Sequence, residues 1–107
     1  MESLAGLLAI FAALAHSAIG ERYIFPKVRI EPARYSLLFR LIWHCLSVGW
    51  LCGAALLIGS PALDHRTIGA LAAFYAASAL SNAVATRWRH FGWMVLAAVS
   101  LLTLTGW

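Results

Sequence analysis

Four long apolar stretches separated by short polar breaks dominate this chain, at residues 3–20, 36–59, 67–85 and 91–107. A helix needs about 20 apolar residues to cross about 30 Å of hydrocarbon, and each stretch approaches that length, the fourth being the shortest. No alternating polar and apolar strands occur, which argues against a β-barrel. Only 11% of the 107 residues are charged and 63% are hydrophobic. A soluble domain carries about 25% charged residues, so too little polar surface is present to solvate an ordinary globule. A soluble enzyme, a disordered tail and a nucleic-acid binder are all disfavoured. The expectation is an all-α fold, a four-helix transmembrane bundle forming one domain over residues 1–107.

The breaks have physical causes. Gly20-Glu21-Arg22 ends the first stretch, and Pro26 and Pro32 keep the linker from continuing as helix. Ser60-Pro61 closes the second, and Asp64 is placed to cap the third. A basic turn, Thr86-Arg87-Trp88-Arg89-His90, precedes the fourth. Short connections favour antiparallel neighbours and an up-down bundle.

The net charge of +4 is distributed unevenly. Arg22, Lys27, Arg29, Arg34 and Arg40 cluster around the first connection, and Arg87 and Arg89 lie in the third. Only Arg66, beside Asp64, falls on the opposite side, with Glu2 near the start. Seven basic residues against one predict cytoplasmic loops at 21–35 and 86–90 and both termini outside. Tyr23, Phe25, Tyr35, Trp88 and Trp93 would form an inner aromatic belt, with Trp107 as an outer anchor. Ala13-Leu14-Ala15 superficially suits signal cleavage, but Glu2 replaces the basic residues a signal peptide carries, so retention is expected.

A helical projection gives the first span a small face of Ala5, Ala9, Ala12, Ala13, His16 and Gly20. Leu7, Ile10, Phe11 and Leu14 oppose it. In the second span Arg40, His44 and Ser47 share a stripe beside Cys45, Gly49, Cys52 and Gly53. Gly49-x-x-x-Gly53 suits either packing within the bundle or contact with a second copy. Seven residues apart, the cysteines are too distant for a bridge and read as small packing residues. Tyr75, Ser78, Asn82 and Thr86 form a polar stripe on the third span, opposite a small face of Ala70, Ala77 and Ser81. Ser100, Thr103 and Thr105 on the fourth can bond the carbonyl one turn back.

His16, Glu21, Arg40, His44, Ser78 and Asn82 all fall in the same, cytoplasmic, half of an antiparallel bundle. Ionisable residues at membrane depth are costly and therefore candidates for function. Neutral imidazoles of His16 and His44 can ligate haem or a transition metal, or hydrogen-bond a quinone carbonyl; each can equally bond a neighbouring helix. Arg40, Asn82 and Glu21 complete the candidate cofactor-binding set, and His16 and His44 are the candidate metal ligands. Glu21 ends a helix whose dipole disfavours negative charge, so Arg22, Arg34 or Arg40 is expected to pair with it, unless it handles a ligand or proton. His65 and His90 read as solvated loop residues. No H-E-x-x-H, G-x-S-x-G, phosphate-binding glycine loop or C-x-x-C occurs, so nothing in the chain points to an enzyme.

His16-Ser17-Ala18-Ile19-Gly20-Glu21, followed by Pro26 and Trp43-His44, resembles a group of small bacterial four-span membrane proteins carrying an H-S-x-x-G-E segment. The resemblance covers about the first half of the chain, implies a four-helix inner-membrane protein, and brings no activity with it. Length and span count are also similar to the small multidrug resistance transporters. Those carry an essential glutamate in the middle of the first helix, where this chain has His16, and that departure speaks against drug–proton exchange. The expected function is an accessory or binding subunit packed against other membrane helices, with a pocket around His16 and His44 for haem, metal or quinone. The alternative is a proton-coupled transporter assembled from several copies.

Overall fold

The computed structural model describes residues 3–60 and 62–106, so readings that involve Glu2, Pro61 and Trp107 fall outside the described residues. The described chain is helical throughout its long elements: α1 (Ser3–Ile19), α2 (Ala33–Gly59), α3 (His65–Ala85) and α4 (Gly92–Thr105). A π-helical turn, Gly20–Ile24, extends α1. The bundle measures 46 × 25 × 21 Å along its principal axes. Three helices are long and apolar enough to cross a membrane: Ser3–Ile24, Ala33–Gly59 and His65–Ala85. The fourth is apolar but has only 14 residues, about 21 Å at the helical rise, and falls short of a full crossing.

Small residues on α1 let it lie close to two neighbours. Ala5, Ala9, Ala12 and Ala13 are buried, whereas Leu7, Phe11 and Leu14 face outward and Ile10 is half-buried. Antiparallel pairing with α2 follows from which residues meet. Gly6 lies against Ile58 and Ala54 at one end, and Gly20 lies under the Trp43 indole at the other. A side chain at Gly20 would collide with that ring, so the approach of α1 to α2 depends on glycine there.

The α3–α4 pair is also antiparallel. Ser100 donates across it to the Ala72 carbonyl at 2.8 Å, while Thr103 and Thr105 bond back to Val99 and Leu101 in their own helix. Helices α2 and α3 hold their backbones further apart and meet through large side chains. The Tyr75 hydroxyl donates to the Trp50 carbonyl at 2.8 Å, and the Trp50 indole donates to Ser78 at 3.1 Å. Tyr75 is fully buried, with Leu57, Leu96 and Val99 among the other fully buried side chains. Outside this core lies a belt of exposed Leu, Val, Ile and Phe, a surface suited to lipid chains rather than water.

Several sequence readings are corrected. The first helical stretch runs past Gly20-Glu21-Arg22 to Ile24, because the π turn carries the backbone through the expected break, with the Phe25 N–H bonding the Gly20 carbonyl at 2.8 Å. α2 starts at Ala33, directly after Pro32, rather than at 36. α3 starts at His65, with Asp64 capping it by accepting the Thr67 N–H at 2.8 Å. Cys45 and Cys52 are exposed rather than packed inside. Gly53 is buried beneath Tyr75 and Gly49 lies near Phe74, so the glycine pair is turned towards α3. Ala70, Ala77 and Ser81 are exposed, and α3 instead buries Ala72, Ala79 and Ala83. Of the expected aromatic belt, Tyr23, Tyr35 and Trp88 are exposed. Phe25 packs edge-on against Phe39, Trp43 and His44, and Trp93 against Trp88.

Candidate functional site

The polar residues of α1 and α2 gather at one end of their seam. His16 Nδ1 and the Ser47 hydroxyl are hydrogen-bonded at 2.7 Å, and Ser17 donates to Ser47 at 2.8 Å. The Ser17 oxygen is also 2.9 Å from His44 Nδ1, and His44 Nε2 is 3.0 Å from the Glu21 carboxylate. Arg40 completes the group with a two-pronged grip on Glu21, its Nε donating at 2.7 Å and its terminal nitrogen to the second oxygen. Of the three arginines considered for Glu21, Arg40 is the partner. The guanidinium offsets the unfavourable position of a carboxylate at a helix C-terminus.

The local backbone explains this convergence. His16 and Ser17 leave α1 on the side facing α2, and the π turn starting at Gly20 keeps Glu21 on that side. Such turns insert one extra residue per turn and recur at functional positions. On α2, Arg40, His44 and Ser47 recur at helical spacing along the facing stripe. The Trp43 indole closes the contact by donating to the His16 carbonyl at 2.7 Å.

Beside this network lies a cleft of about 110 Å³ between α1, α2, α3 and α4. The His16 ring stands in its wall, stacked on Trp43 (centroids 4.1 Å apart, planes within 7°) and edge-on to Trp50 at 4.7 Å. Asn82, Thr86 and His90 contribute polar atoms from the opposite side, and Phe11, Ile19, Ile24 and Phe91 add apolar surface. The amide oxygen of Asn82 is buried without a hydrogen-bond partner, as is the Trp93 indole N–H. A buried polar atom left unpaired costs about 1–3 kcal/mol, so the Asn82 oxygen calls for an explanation.

The five predicted residues thus divide into two groups. His16, His44, Arg40 and Glu21 belong to one hydrogen-bonded network, with Ser17 and Ser47 as its links. His16 and Asn82 line the cleft, whereas His44, Arg40 and Glu21 do not. His16 alone belongs to both. The imidazoles of His16 and His44 do not converge on one point, and both ring nitrogens of His44 are engaged by protein partners. Among the described residues no three His, Cys, Asp or Glu side chains gather to hold a metal ion. The cleft is smaller than the roughly 150 Å³ that admits one benzene, so it does not enclose a haem.

Beyond the Ser17 and Ser47 links, Trp43, Trp50 and His90 were not among the predicted site residues. Trp43 and Trp50 wall the cleft, and their spacing with Ser47 along one stripe of α2 was the available signal. His90, expected to be solvated, is half-buried instead. Its Nδ1 accepts the Gly92 N–H at 3.0 Å and its ring stacks on Phe91. It arrives there because the chain reverses sharply after α3, with Arg87 and Trp88 both in the left-handed region at φ 53° and 64°. His65 is exposed as expected.

No protein-family model matches the chain, and no curated protein or solved structure matches it either.

Proposed function

We propose that this chain is a small membrane-embedded binding subunit whose cleft takes the edge of one flat ring carrying a carbonyl or hydroxyl, the chemistry of a quinone or quinol head group. One observation carries the reading: Asn82, whose buried amide oxygen the protein leaves unpaired, lines a cleft whose other wall is the His16 ring stacked on Trp43. Flat aromatic walls favour a planar ligand. Asn82 supplies both an acceptor and a donor, and rotation of its side chain would turn the unpaired oxygen to a ligand hydroxyl. Because the cleft is smaller than a benzene cavity, only the carbonyl edge of the ring would enter it, and the rest of the ring and a lipid-like tail would lie between the apolar side chains around it.

The remaining parts of the reading follow from charge and shape. The basic connections, 21–35 and 86–90, would face the cytoplasm, both ends of the chain the outside, and the cleft the cytoplasmic half of a bacterial inner membrane. Four helices without a soluble domain among the described residues suit an accessory role, packed against other membrane helices. The proton-coupled transporter built from several copies is the weaker reading, because its glycine face is already turned towards α3.

Titration of the full chain in lipid nanodiscs with a short-chain 1,4-benzoquinone and its quinol tests the proposal through tryptophan fluorescence. Saturable quenching is expected, weakened about tenfold by Asn82→Leu, which corresponds to about 1.4 kcal/mol. Linear, non-saturating quenching that is identical in Asn82→Leu refutes the ring-binding reading.

A further inference from the structure

We infer that Glu21, His44, Ser17, Ser47 and His16 form a proton path connecting the cleft to the polar end of the bundle. Each consecutive pair lies within hydrogen-bond distance: 3.0 Å from Glu21 to His44, then 2.9 Å to Ser17, 2.8 Å to Ser47 and 2.7 Å to His16. Every link is a group that both accepts and donates, imidazole or hydroxyl, up to the carboxylate at the end. Helix-to-helix fastening needs only one such bond, and Trp43 already supplies one to the same turn of α1. An unbroken series that starts at the wall of a cleft and ends at an exposed ion pair suits proton movement instead.

The transfer balances. With His16 donating from Nδ1 to Ser47, its Nε2 accepts a proton from a hydroxyl in the cleft. The Nδ1 proton then passes to Ser47, the Ser47 proton to Ser17, and the Ser17 proton to His44 Nδ1. His44 releases its Nε2 proton to Glu21, and water removes it there. One proton enters, one leaves, and each serine keeps one. The series ends with Ser17 donating to Ser47, the His16 proton on Nε2 and the His44 proton on Nδ1; rotation of the two hydroxyls together with tautomer exchange of both imidazoles resets it.

The surroundings isolate the path. Phe11, Ile19, Ile24 and Phe91 line the cleft with apolar surface and Asn82, Thr86 and His90 lie across it, so the serine-histidine series is the polar way out from His16 on the α1–α2 side. Glu21 and His16 face it from α1 and its π turn, Arg40 and His44 from α2, and His90 from the turn before α4. The one titratable core side chain of α3, Tyr75, is committed to the Trp50 carbonyl. Arg40 grips Glu21 without entering the series, holding the carboxylate at the exit.

The path rests on the ring-binding reading only for its use, since proton exchange is measurable without any ligand. The experiment is solvent exchange of the His16 ring N–H in ring-15N-histidine-labelled full chain in nanodiscs, the resonance being assigned with His16→Gln. Ser17→Ala, which breaks the series while keeping every charge, is expected to slow exchange by about a hundredfold, at the lower end of what a positioned proton-transfer group contributes. Ser17→Thr, which retains the hydroxyl, restores it. His44→Gln provides an independent break should Ser17→Ala fail to fold. Unchanged exchange in a folded broken variant, or slowing that Ser17→Thr does not restore, overturns the path. Intact exchange control together with absent quinol binding leaves the path standing and refutes the ligand reading alone.

Discussion

The two ends of the α1–α2 seam are built on opposite principles. Where Gly6 meets Ala54 and Ile58, backbones approach closely, Ala5, Ala9, Ala54 and Leu57 are all buried, and among the described residues side chains contribute no hydrogen bonds across the seam. Where His16 meets Trp43 and Ser47, the helices are joined by six polar groups and flanked by a cleft with an unpaired amide oxygen. The first end is optimised for dispersion contact, which in lipid replaces the hydrophobic effect as the force between helices. The second retains unsatisfied polarity, and a structure keeps that where it serves something other than stability.

Substitutions distinguish the two ends, beginning with the largest effect. Leu57→Ala removes a fully buried side chain from the dry region and is expected to cost about 2 kcal/mol in reversible detergent unfolding. That is the low end for core truncations, because the separated helix already sits in an apolar solvent. A cost near zero would mean that the region is not close-packed. Asn82→Leu should act with the opposite sign at the cleft, stabilising by about 1 kcal/mol as the unpaired oxygen disappears, while quinol binding weakens. Destabilisation would show that Asn82 is structural, and the contrast between the ends would lose its basis.

Between them, Tyr75→Phe removes one hydrogen bond that joins α2 to α3 and should cost about 0.6 kcal/mol, the average for such bonds in a membrane protein. A loss of several kcal/mol would make this bond, rather than packing, the main connection of the two helix pairs. The smallest effect belongs to Asp64, outside the spans. Hydrogen bonding by Thr67, first from its hydroxyl and then from its backbone N–H, holds the Asp64 carboxyl below the usual carboxylate range. The stabilisation of α3 that it provides is complete above the ordinary carboxylate pKa and is lost as pH falls through the lowered one. Asp64→Asn should flatten that part of an acid unfolding profile measured by circular dichroism. An unchanged profile would assign the acid sensitivity to other groups.

The dry end was the more legible in the sequence. Alanines at helical spacing against Leu7, Phe11 and Leu14 state which side of α1 goes inward, because one side is small and the other large. The end of α1 was not legible, since Gly20-Glu21-Arg22 reads as a stop. It continues as a π turn whose residues are engaged from α2, Gly20 under Trp43 and Glu21 by Arg40 and His44. The candidate residues His16, His44, Arg40 and Glu21 were correctly brought together by their depth, but depth does not show which ring faces a cleft. Ser47 shared the stripe of Arg40 and His44, but Ser17 had no signal beyond its place in the H-S-x-x-G-E segment, since serine at such depth is ordinary. His90 was hidden by the composition of its turn; only the left-handed backbone at Arg87 and Trp88 swings it inward.

The lengths of α2 and α4 carry a consequence for the surrounding lipid. α2 has 27 residues, about 40 Å of helix, and α4 has 14, about 21 Å. Set in a bilayer with about 30 Å of hydrocarbon, α2 would leave its arginine-bearing first turns among the head groups, whereas the leaflets would pinch beside α4. The bundle then meets its lipids as a wedge, with thinned bilayer along one flank. Such a flank adds a mismatch penalty that a longer neighbouring helix laid against α4 would relieve.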